Sequence, residues 1–287
     1  MGAMNSPITF YSKRLRPCFL AATALWAMLH ASSGWANSSG EPESDSATTL
    51  AQRVYDRPNG KDVSSEVLMV LDNGRDEPRQ RRLYNFAKDK GDSERWTLLR
   101  FHEPADISGT ALLTKDYRGD ESDQWLYLPA LDRVRRISSA RKGGRFVGSD
   151  FFYEDLMDRE VSMDNHRILG MEKLGGIDCY LLESTPVDPD TSVYSKRISW
   201  IHPGLDLTLR VEFYKGRGNK PYKRLQARKI KKVQGYWTVF DSTMYNLKTG
   251  HKTQLLTLDI RYNPGLPDDL FTQRSLADPS REASYIP

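Results

Sequence analysis

Cysteine and histidine are scarce in this sequence. Its 287 residues include two cysteines, Cys18 and Cys179, and five histidines. Cys18 lies in an N-terminal segment that we expect to be removed, so Cys179 is left without an intramolecular disulfide partner. None of the later histidines is spaced with another His, Cys or Asp as a metal pair requires. They are His102, His166, His202 and His251. The sequence therefore predicts no disulfide, no metal site and no cofactor.

Catalytic signatures are also missing. The sequence contains no Gly-x-Ser-x-Gly elbow, no Walker-type phosphate loop and no His-Glu-x-x-His motif. Four acids, Asp150, Glu154, Asp155 and Asp158, lie close together, and a helix would bring Glu154 and Asp158 onto one face. That spacing permits a cation site or paired hydrolytic carboxylates, but it is equally the pattern of a solvated helix. We predict that the protein is not an enzyme, and keep a hydrolase that uses Asp150, Glu154 and a histidine as an alternative.

Long apolar runs are missing after the first 36 residues. Within that segment, Lys13, Arg14 and Arg16 precede an apolar run at Cys18–Leu29, and small residues end the segment at Ala36. This three-part pattern is typical of a cleaved secretory signal peptide; an uncleaved N-terminal anchor is the alternative. No later stretch approaches the roughly 20 apolar residues that a membrane-spanning helix needs. We predict a signal peptide at residues 1–36 and a secreted mature protein.

An excess of either charge is missing once the signal peptide is removed. The segment takes three of the 42 Lys and Arg residues and none of the 38 acids, which leaves 39 bases and lowers the formal charge from +4 to +1. A nearly neutral chain offers no basic footprint for nucleic acid. Residues 37–46 (NSSGEPESDS) are predicted to form a disordered leader, and residues 47–287 a single domain. No Pro- or Ser-rich linker interrupts Val63 to Tyr262.

Short stretches of alternating apolar and polar residues fill most of the chain after one amphipathic helix, which is predicted at Ala47–Tyr55. The predicted strands are Val63–Leu71, Arg79–Lys88, Arg95–Phe101, Thr110–Tyr117, Gln124–Leu128, Arg133–Ile137, His166–Leu174, Ile177–Thr185, Lys196–Ile201, Leu205–Tyr214, Tyr222–Val233, Tyr236–Leu247 and Lys252–Tyr262. Turns such as Gly175-Gly176 connect antiparallel neighbours. We predict a mainly β fold: a single large antiparallel sheet, curled into an incomplete β-barrel, with the helix and helical turns covering an apolar concave face.

Period-two alternation is clearest in the strand at Leu205–Tyr214 and in the last strand. One short helix cannot cover so many strands, so the sheet either fills with side chains or encloses an apolar cavity for a ligand. A filled core and a cavity are both compatible with the pattern. The residues that we predict to line a cavity are Leu207, Leu209, Val211, Phe213, Leu256 and Leu258.

The densest cluster of unusual residues lies at Asp123–Leu156. A turn at Pro129–Asp132 predicts a hairpin, and a glycine-rich loop then leads to a helical turn at Phe151–Met157 with Ser149 or Asp150 as its N-cap. For the arginines of this segment, a solvated or salt-bridged surface position is the alternative to a contact with a partner. The residues that we predict to contact a partner or a lipid headgroup are Arg133, Arg135, Arg136 and Asp155.

Five strings of residues carry a resemblance to a known family: WLYLPALDRVRRI, GSDFFYEDL, GIDCYLLESTP, SKRISWIHP and YNPGLPDDLFT. Over residues 63–276 the chain resembles the outer-membrane lipoprotein-sorting protein family, the LolA-like group, and in particular its branch often found beside RND-type exporters. The resemblance implies a periplasmic carrier, built as an incomplete antiparallel barrel with a helical lid over an apolar cavity for acyl chains.

These observations leave three functional hypotheses. The first is a periplasmic carrier of a lipid or an acylated lipoprotein, which serves lipoprotein sorting or lipid transport beside an RND-family inner-membrane transporter. The second is a periplasmic binding or sensing module that contacts a membrane protein, or the membrane surface, without carrying lipid. The third is the hydrolase described above. The first agrees both with the resemblance and with a large sheet that has little helix to cover it.

Overall fold

The structure is a computed structural model, and it describes residues 43–119 and 122–287. The predicted signal peptide at residues 1–36 lies outside the described residues, as do residues 37–42 of the predicted leader. The last four leader residues lie in the first helix.

Helix α1 spans Glu43–Tyr55 and begins four residues before the predicted start at Ala47. Ala47 and Leu50 lie on its apolar face and are buried against Leu182 and Ile201 of the sheet. A helix of 13 residues is only marginally stable by itself, so this contact with the sheet stabilises it.

The described residues contain thirteen strands. They are β1 (Asp62–Asp72), β2 (Arg79–Gly91), β3 (Glu94–Glu103), β4 (Ala111–Asp116), β5 (Asp123–Leu128), β6 (Arg133–Arg136), β7 (Asp164–Leu174), β8 (Ile177–Pro186), β9 (Lys196–His202), β10 (Leu207–Tyr214), β11 (Lys223–Val233), β12 (Tyr236–Asn246) and β13 (Lys252–Tyr262). Each predicted strand is present, with its ends within three residues of the prediction.

A short helix, α2 (Gln273–Ala277), and several 3-10 turns complete the described part of the chain. The 3-10 turns are Pro129–Leu131, Ser139–Arg141, Phe146–Gly148, Glu154–Leu156, Val161–Met163, Pro189–Thr191, Asp268–Leu270 and Pro279–Tyr285. The helical turn predicted at Phe151–Met157 is thus only three residues long, and Tyr153 precedes it. Ser149 does not cap it, because its Oγ accepts a hydrogen bond from the Phe151 amide (3.2 Å).

Across the described residues, the strands form one antiparallel sheet in the order β6-β5-β4-β3-β2-β1-β13-β12-β11-β10-β9-β8-β7. The sheet is not closed: β6 and β7, which are consecutive in the chain, form its two edges. The connection between them, residues 137–163, therefore runs from one edge of the sheet to the other. We call these residues the lid segment. The predicted mainly β, incomplete antiparallel barrel is confirmed.

One face of the sheet is continuous from its first half to its second, because residues paired across neighbouring strands share a face. This inner face runs from Met69 through Leu255 and Met244 to Val211 and Leu182. Both helix α1 and the lid segment pack on it. The core of the protein therefore lies on the inner face, under these two covers.

The outer face of β2 to β4 is covered by the C-terminal residues. Phe271 and Leu276 pack in one cluster with Leu98. Next to them, the buried Arg100 and Glu282 form an ion pair (2.6 Å), and Arg100 also donates to the Leu276 carbonyl (3.0 Å). The C-terminal segment is thus held to the sheet by both apolar and charged contacts.

Candidate ligand-binding cavity

An apolar cavity of about 210 Å³ lies between the inner face of the sheet and the lid segment. Strands β1, β2, β3 and β13 form its floor. The lining residues are Val67, Met69, Leu83, Asn85, Thr97, Leu99, Phe146, Phe151, Leu156 and Leu255. Asn85 is one of the two polar residues among them, and its amide already donates to Ser65 Oγ (3.2 Å). A concave site with an apolar lining and few polar groups suits an apolar ligand.

Aromatic residues of the lid segment form the roof of the cavity. Phe146 is 1% exposed, and its ring lies 5.7 Å from that of Phe101 on the sheet and 5.9 Å from that of Tyr153. Val147 has a φ of 41°, which a β-branched residue rarely adopts. Its carbonyl accepts a hydrogen bond from Arg81 Nη1 (2.5 Å), which holds the lid to β2.

Lys223 of β11 anchors the lid segment through polar contacts. Its side chain is fully buried, and its Nζ donates to Asp155 Oδ2 (2.5 Å) and to the Asp150 carbonyl (3.0 Å). The Tyr194 hydroxyl donates to Asp155 Oδ1 (2.7 Å), and the Phe152 ring centre lies 3.6 Å from the ammonium. Burial lowers the pKa of Lys223, and the neighbouring Asp155 opposes that shift. Burial, followed by the charge of Asp155, raises the pKa of Tyr194. The lid therefore closes over a buried charge pair.

Two solved structures match most of this chain at more than 30% identity. A domain of Vibrio parahaemolyticus assigned to outer membrane lipoprotein sorting is 34% identical, with a TM-score of 0.77 over 82% of this chain and 99% of the domain. A DUF1329 family protein from Desulfovibrio piger is 31% identical, with a TM-score of 0.77 over 81% of this chain and 98% of its own. The chain belongs to the DUF1329 family. The predicted relationship to LolA-like lipoprotein-sorting proteins is thereby confirmed.

A more distant solved structure has the same fold as this DUF1329 protein. A LolA superfamily protein from Nitrosomonas europaea shares the fold at 21% identity, with a TM-score of 0.63 over 82% of this chain and 100% of the other. A protein-family model described as an uncharacterised protein matches residues 93–278. Comparison with curated protein sequences gave no significant match.

A β-bulge in β10 divides the residues predicted to line the cavity there. The pairing of β10 with β9 shifts at Leu209, so Leu207 and Leu209 pack with Trp200 on the outer face. Val211 and Phe213 face inward, in a cluster that adjoins the cavity. One extra residue in a strand reverses the alternation that follows it, and no feature of the apolar pattern marks that residue.

A second β-bulge, in β13, affects the other two residues that were predicted to line the cavity, Leu256 and Leu258. The pairing of β13 with β1 shifts between Glu66 and Val67, which leaves Leu258 unpaired and 43% exposed. Leu256 lies on the outer face, since its neighbour Leu255 lines the cavity. The sequence prediction therefore missed Leu255 and named Leu256 in its place. The Leu255-Leu256 doublet was a signal of this ambiguity, because either leucine could face inward.

The lid acids of this DUF1329 protein lie inside and not at the surface. Asp155, which the sequence placed among the residues that contact a partner, is 3% exposed because it pairs with Lys223. Glu154 is also buried and forms an ion pair with Arg197 (2.6 Å). Asp158 does not share a helix face with Glu154, and lines a different cavity. Asp155 and Glu154 hold the lid to the sheet and are not free for a partner or for acid–base chemistry.

The three arginines of the predicted contact set are accessible. Arg133, Arg135 and Arg136 are exposed on β6, at one open edge of the sheet. Arg136 forms an ion pair with Asp123 of the neighbouring strand. These arginines, without Asp155, are the part of the predicted surface that a partner could reach.

Neither a metal cluster nor a membrane-spanning helix occurs within the described residues. No group of three or more His, Cys, Asp or Glu side chains in that part of the chain is placed to hold a metal ion. His166 Nε2 donates to the Val161 carbonyl (2.9 Å), and its Nδ1 lies 3.0 Å from Ser184 Oγ. Cys179 is fully buried, and burial raises the pKa of its thiol, which disfavours a reactive thiolate. No helix among the described residues is long and apolar enough to cross a membrane.

Proposed function

We propose that this DUF1329 protein is a periplasmic carrier, not an enzyme, that binds the acyl chains of a lipid or an acylated lipoprotein in the cavity under the lid segment. The observation that carries the proposal is the lining of that cavity, in which eight of the ten residues have apolar side chains. Burial of an acyl chain contributes about 0.8 kcal/mol per CH₂ group. A cavity of this chemistry therefore supplies affinity without any polar recognition.

The lid segment moves when the ligand binds. The cavity of about 210 Å³ is smaller than the roughly 300–1,000 Å³ of typical ligand pockets. An acyl chain therefore has to displace roof residues such as Phe146 and Phe151. The acyl chain then packs against the sheet in place of these two side chains. Because the lid joins the two open edges of the sheet, it can lift without breaking the pairing of the central strands.

The predicted signal peptide and the relatives support a periplasmic role. The proposed site of action is the periplasm, where lipoproteins and lipids cross from the inner to the outer membrane. The solved Vibrio domain assigned to outer membrane lipoprotein sorting supports a role in that transfer. We place its membrane partner among RND-type exporters, on the strength of the sequence resemblance alone.

The test compares two neighbouring leucines that face opposite sides of β13. Leu255→Gln introduces an amide into the cavity, whereas Leu256→Gln introduces it on the outer face. An unpaired buried amide costs about 1–3 kcal/mol, so Leu255→Gln is expected to weaken binding of N-phenyl-1-naphthylamine about tenfold. Leu256→Gln is expected to bind this fluorescent probe like the wild type.

Lipid extracted from the natively purified protein provides the second readout. Mass spectrometry is expected to find acyl chains that co-purify with the wild type and that are depleted in Leu255→Gln. A wild-type protein that carries no lipid and binds no apolar probe would overturn the carrier proposal.

The second candidate is a binding module that contacts a membrane protein through β6. The exposure of Arg133, Arg135 and Arg136 on an open edge strand favours it. A photo-crosslinking amino acid at position 135 should then capture one membrane protein in cells, and one at an exposed position away from the sheet edges, Arg228 of β11, should not. If capture at position 135 occurs and acyl binding is absent, this candidate replaces the carrier.

A further inference from the structure

A second, polar cavity of about 400 Å³ lies on the inner face beneath helix α1. It adjoins a cleft of about 850 Å³, with which it shares five lining residues. The shared residues are Tyr55, Arg57, Asn59, Arg95 and Asp158. We call these five residues the arginine pocket.

Two of the four arginines in this cavity are already neutralised. Arg159 lies 3.0 Å from Asp164, and Arg197 lies 3.2 Å from the same carboxylate. Arg57 and Arg95 differ from them: among the described residues, neither has a carboxylate oxygen within 4.0 Å. The arginine pocket thus presents two cations without a paired anion.

Both guanidinium groups are held in place by neutral acceptors. Arg57 Nη1 donates to the Trp237 carbonyl (2.8 Å). Arg95 Nη1 donates to the side-chain oxygen of Asn59 (2.8 Å), in the amide orientation that satisfies both ends of that side chain. A guanidinium carries five N–H donors, so most donors of each group remain available for an oxyanion. Burial lowers the pKa of Arg57, Tyr262 opposes that shift, and the positive charge of Arg95 adds to it. Both arginines line the same two cavities.

Acidic residues also line the two cavities. Asp158 lines the pocket; burial raises the pKa of its carboxyl, and Arg95 opposes that shift. Glu160 lines the neighbouring cavity, and its Oε2 accepts a hydrogen bond from the Gly119 amide (2.7 Å). The adjoining cleft is lined by six acids and five bases, so the attraction for an oxyanion comes from the two guanidinium groups themselves and not from the net charge of the cleft.

Strand β3 connects the arginine pocket to the apolar cavity. Arg95, Thr97 and Leu99 alternate along one face of this strand, and Thr97 and Leu99 line the apolar cavity. Residues two apart in a strand are separated by about 6.6–6.8 Å. On the opposite wall, Ser199 of the polar cavity pairs with Val211, which packs in the cluster beside the apolar cavity. The polar cavity and the apolar cavity are therefore adjacent on the inner face of the sheet. A polar headgroup and its apolar chain are adjacent in the same way in an amphiphile.

We propose that Arg57 and Arg95 bind the phosphate or carboxylate headgroup of an anionic amphiphile whose chain lies in the apolar cavity. This inference rests on the proposed carrier function and names its substrate class as acyl ligands with an oxyanion at one end. The hydrogen bonds to Trp237 and Asn59 preorganise the two guanidinium groups for it.

The experiment compares two ligands that differ in one group. Palmitoyl lysophosphatidic acid and monopalmitoylglycerol share the chain and the glycerol, and only the first has a phosphate. The wild type is expected to bind the phosphate-bearing ligand at least tenfold more tightly by titration calorimetry. Arg57→Gln and Arg95→Gln are each expected to lose most of that preference while binding monopalmitoylglycerol unchanged.

The matched control is Arg53→Gln, which removes an arginine of helix α1 that pairs with Asp206 outside the pocket (3.2 Å). It should keep the full preference for the phosphate. If a glutamine variant does not fold, Arg95→Lys provides the second test, since it keeps the charge and should retain part of the preference.

The possible outcomes distinguish failure of the headgroup site from failure of the carrier function. Equal binding of the two ligands by the wild type overturns the headgroup site and leaves the carrier intact, whereas failure to bind either ligand overturns the carrier. Inorganic phosphate is the third ligand. If it binds with the same dependence on Arg57 and Arg95 while the lysophospholipid shows no preference, the pocket holds a free anion and the headgroup assignment is overturned.

Discussion

Lys223 Nζ lies 2.5 Å from Asp155 Oδ2, and neither side chain is more than 3% exposed. The pair joins the sheet to the lid segment, and its members are 68 residues apart in the sequence. Charges taken out of water need a partner, so each residue of the pair depends on the other. The lid is therefore closed by a contact that can be removed by a single substitution.

Lys223→Met is expected to destabilise the protein by about 3–5 kcal/mol, because it leaves the Asp155 carboxylate buried and unpaired. The double variant Lys223→Met/Asp155→Leu should recover much of that loss. Urea unfolding followed by fluorescence measures both. Lys173→Met, which breaks an exposed pair with Asp178, is the control and should change little. Equal losses in the single and double variants would contradict this account of the pair.

Hydrogen exchange should distinguish the lid segment from the sheet. We expect amides of residues 144–157 to exchange faster than those of β12 in the free protein, because lid opening leaves the central ladder intact. Addition of monopalmitoylglycerol should slow exchange in the lid and leave β12 unchanged. Mass spectrometry of the two peptides gives the comparison, and identical protection factors in lid and sheet would exclude a separate lid motion.

The strands and their hairpin pairings follow from local features, whereas the pairing of β1 with β13 and the faces of two strands do not. Short turn residues and period-two alternation predict all thirteen strands, because both signals act within one hairpin. The bulges at Leu209 and Leu258 reverse the alternation with ordinary leucines, so the sequence carries no glycine or proline to mark them. Four of the six predicted lining residues consequently lie outside the inner face.

The arginine pocket shows that polar sites are also not predicted by the local sequence pattern. Arg57 follows helix α1 and Arg95 is the second residue of β3, and nothing in their spacing predicts that they line one cavity. Asp155 was predicted to contact a partner or a lipid headgroup, but it pairs inside the protein with Lys223, which comes from a distant strand. Side chains that meet only through tertiary packing leave no periodic trace in the sequence.

A buried carboxyl predicts how stability depends on pH. Asp116 is 3% exposed, and burial is the main cause that raises its pKa from 3.8 to about 7. Between these two values the folded protein binds a proton that the unfolded chain has lost, so this group lowers the free energy of unfolding as pH rises from about 4 to about 7. Above a pH of about 7, where Asp116 is ionised in both states, its contribution to the free energy of unfolding no longer changes with pH.

Asp116→Asn removes that contribution. The variant should therefore gain stability relative to the wild type as pH rises from 5 to 8, measured by urea unfolding at each pH. Asp178→Asn changes an exposed carboxylate that is 63% accessible and serves as the control. If the wild type and Asp116→Asn keep a constant difference across this range, the buried carboxyl does not titrate as described.

The C-terminal segment is expected to depend on Glu282. Glu282→Ala leaves the guanidinium of Arg100, 4% exposed, without its carboxylate, and loss of one partner from a buried pair costs about 3–5 kcal/mol. The carbonyls of Ser275 and Leu276 still accept from Arg100, which places the loss toward the lower end of that range. Limited proteolysis should then cut within residues 266–287 faster than in the wild type, because the segment has lost its buried ion pair with the sheet. Arg281→Ala breaks only solvent-accessible pairs with Asp269 and Asp278 and should be cut at the wild-type rate. Unchanged proteolysis in Glu282→Ala would mean that the remaining contacts suffice to hold the C-terminal segment on the sheet.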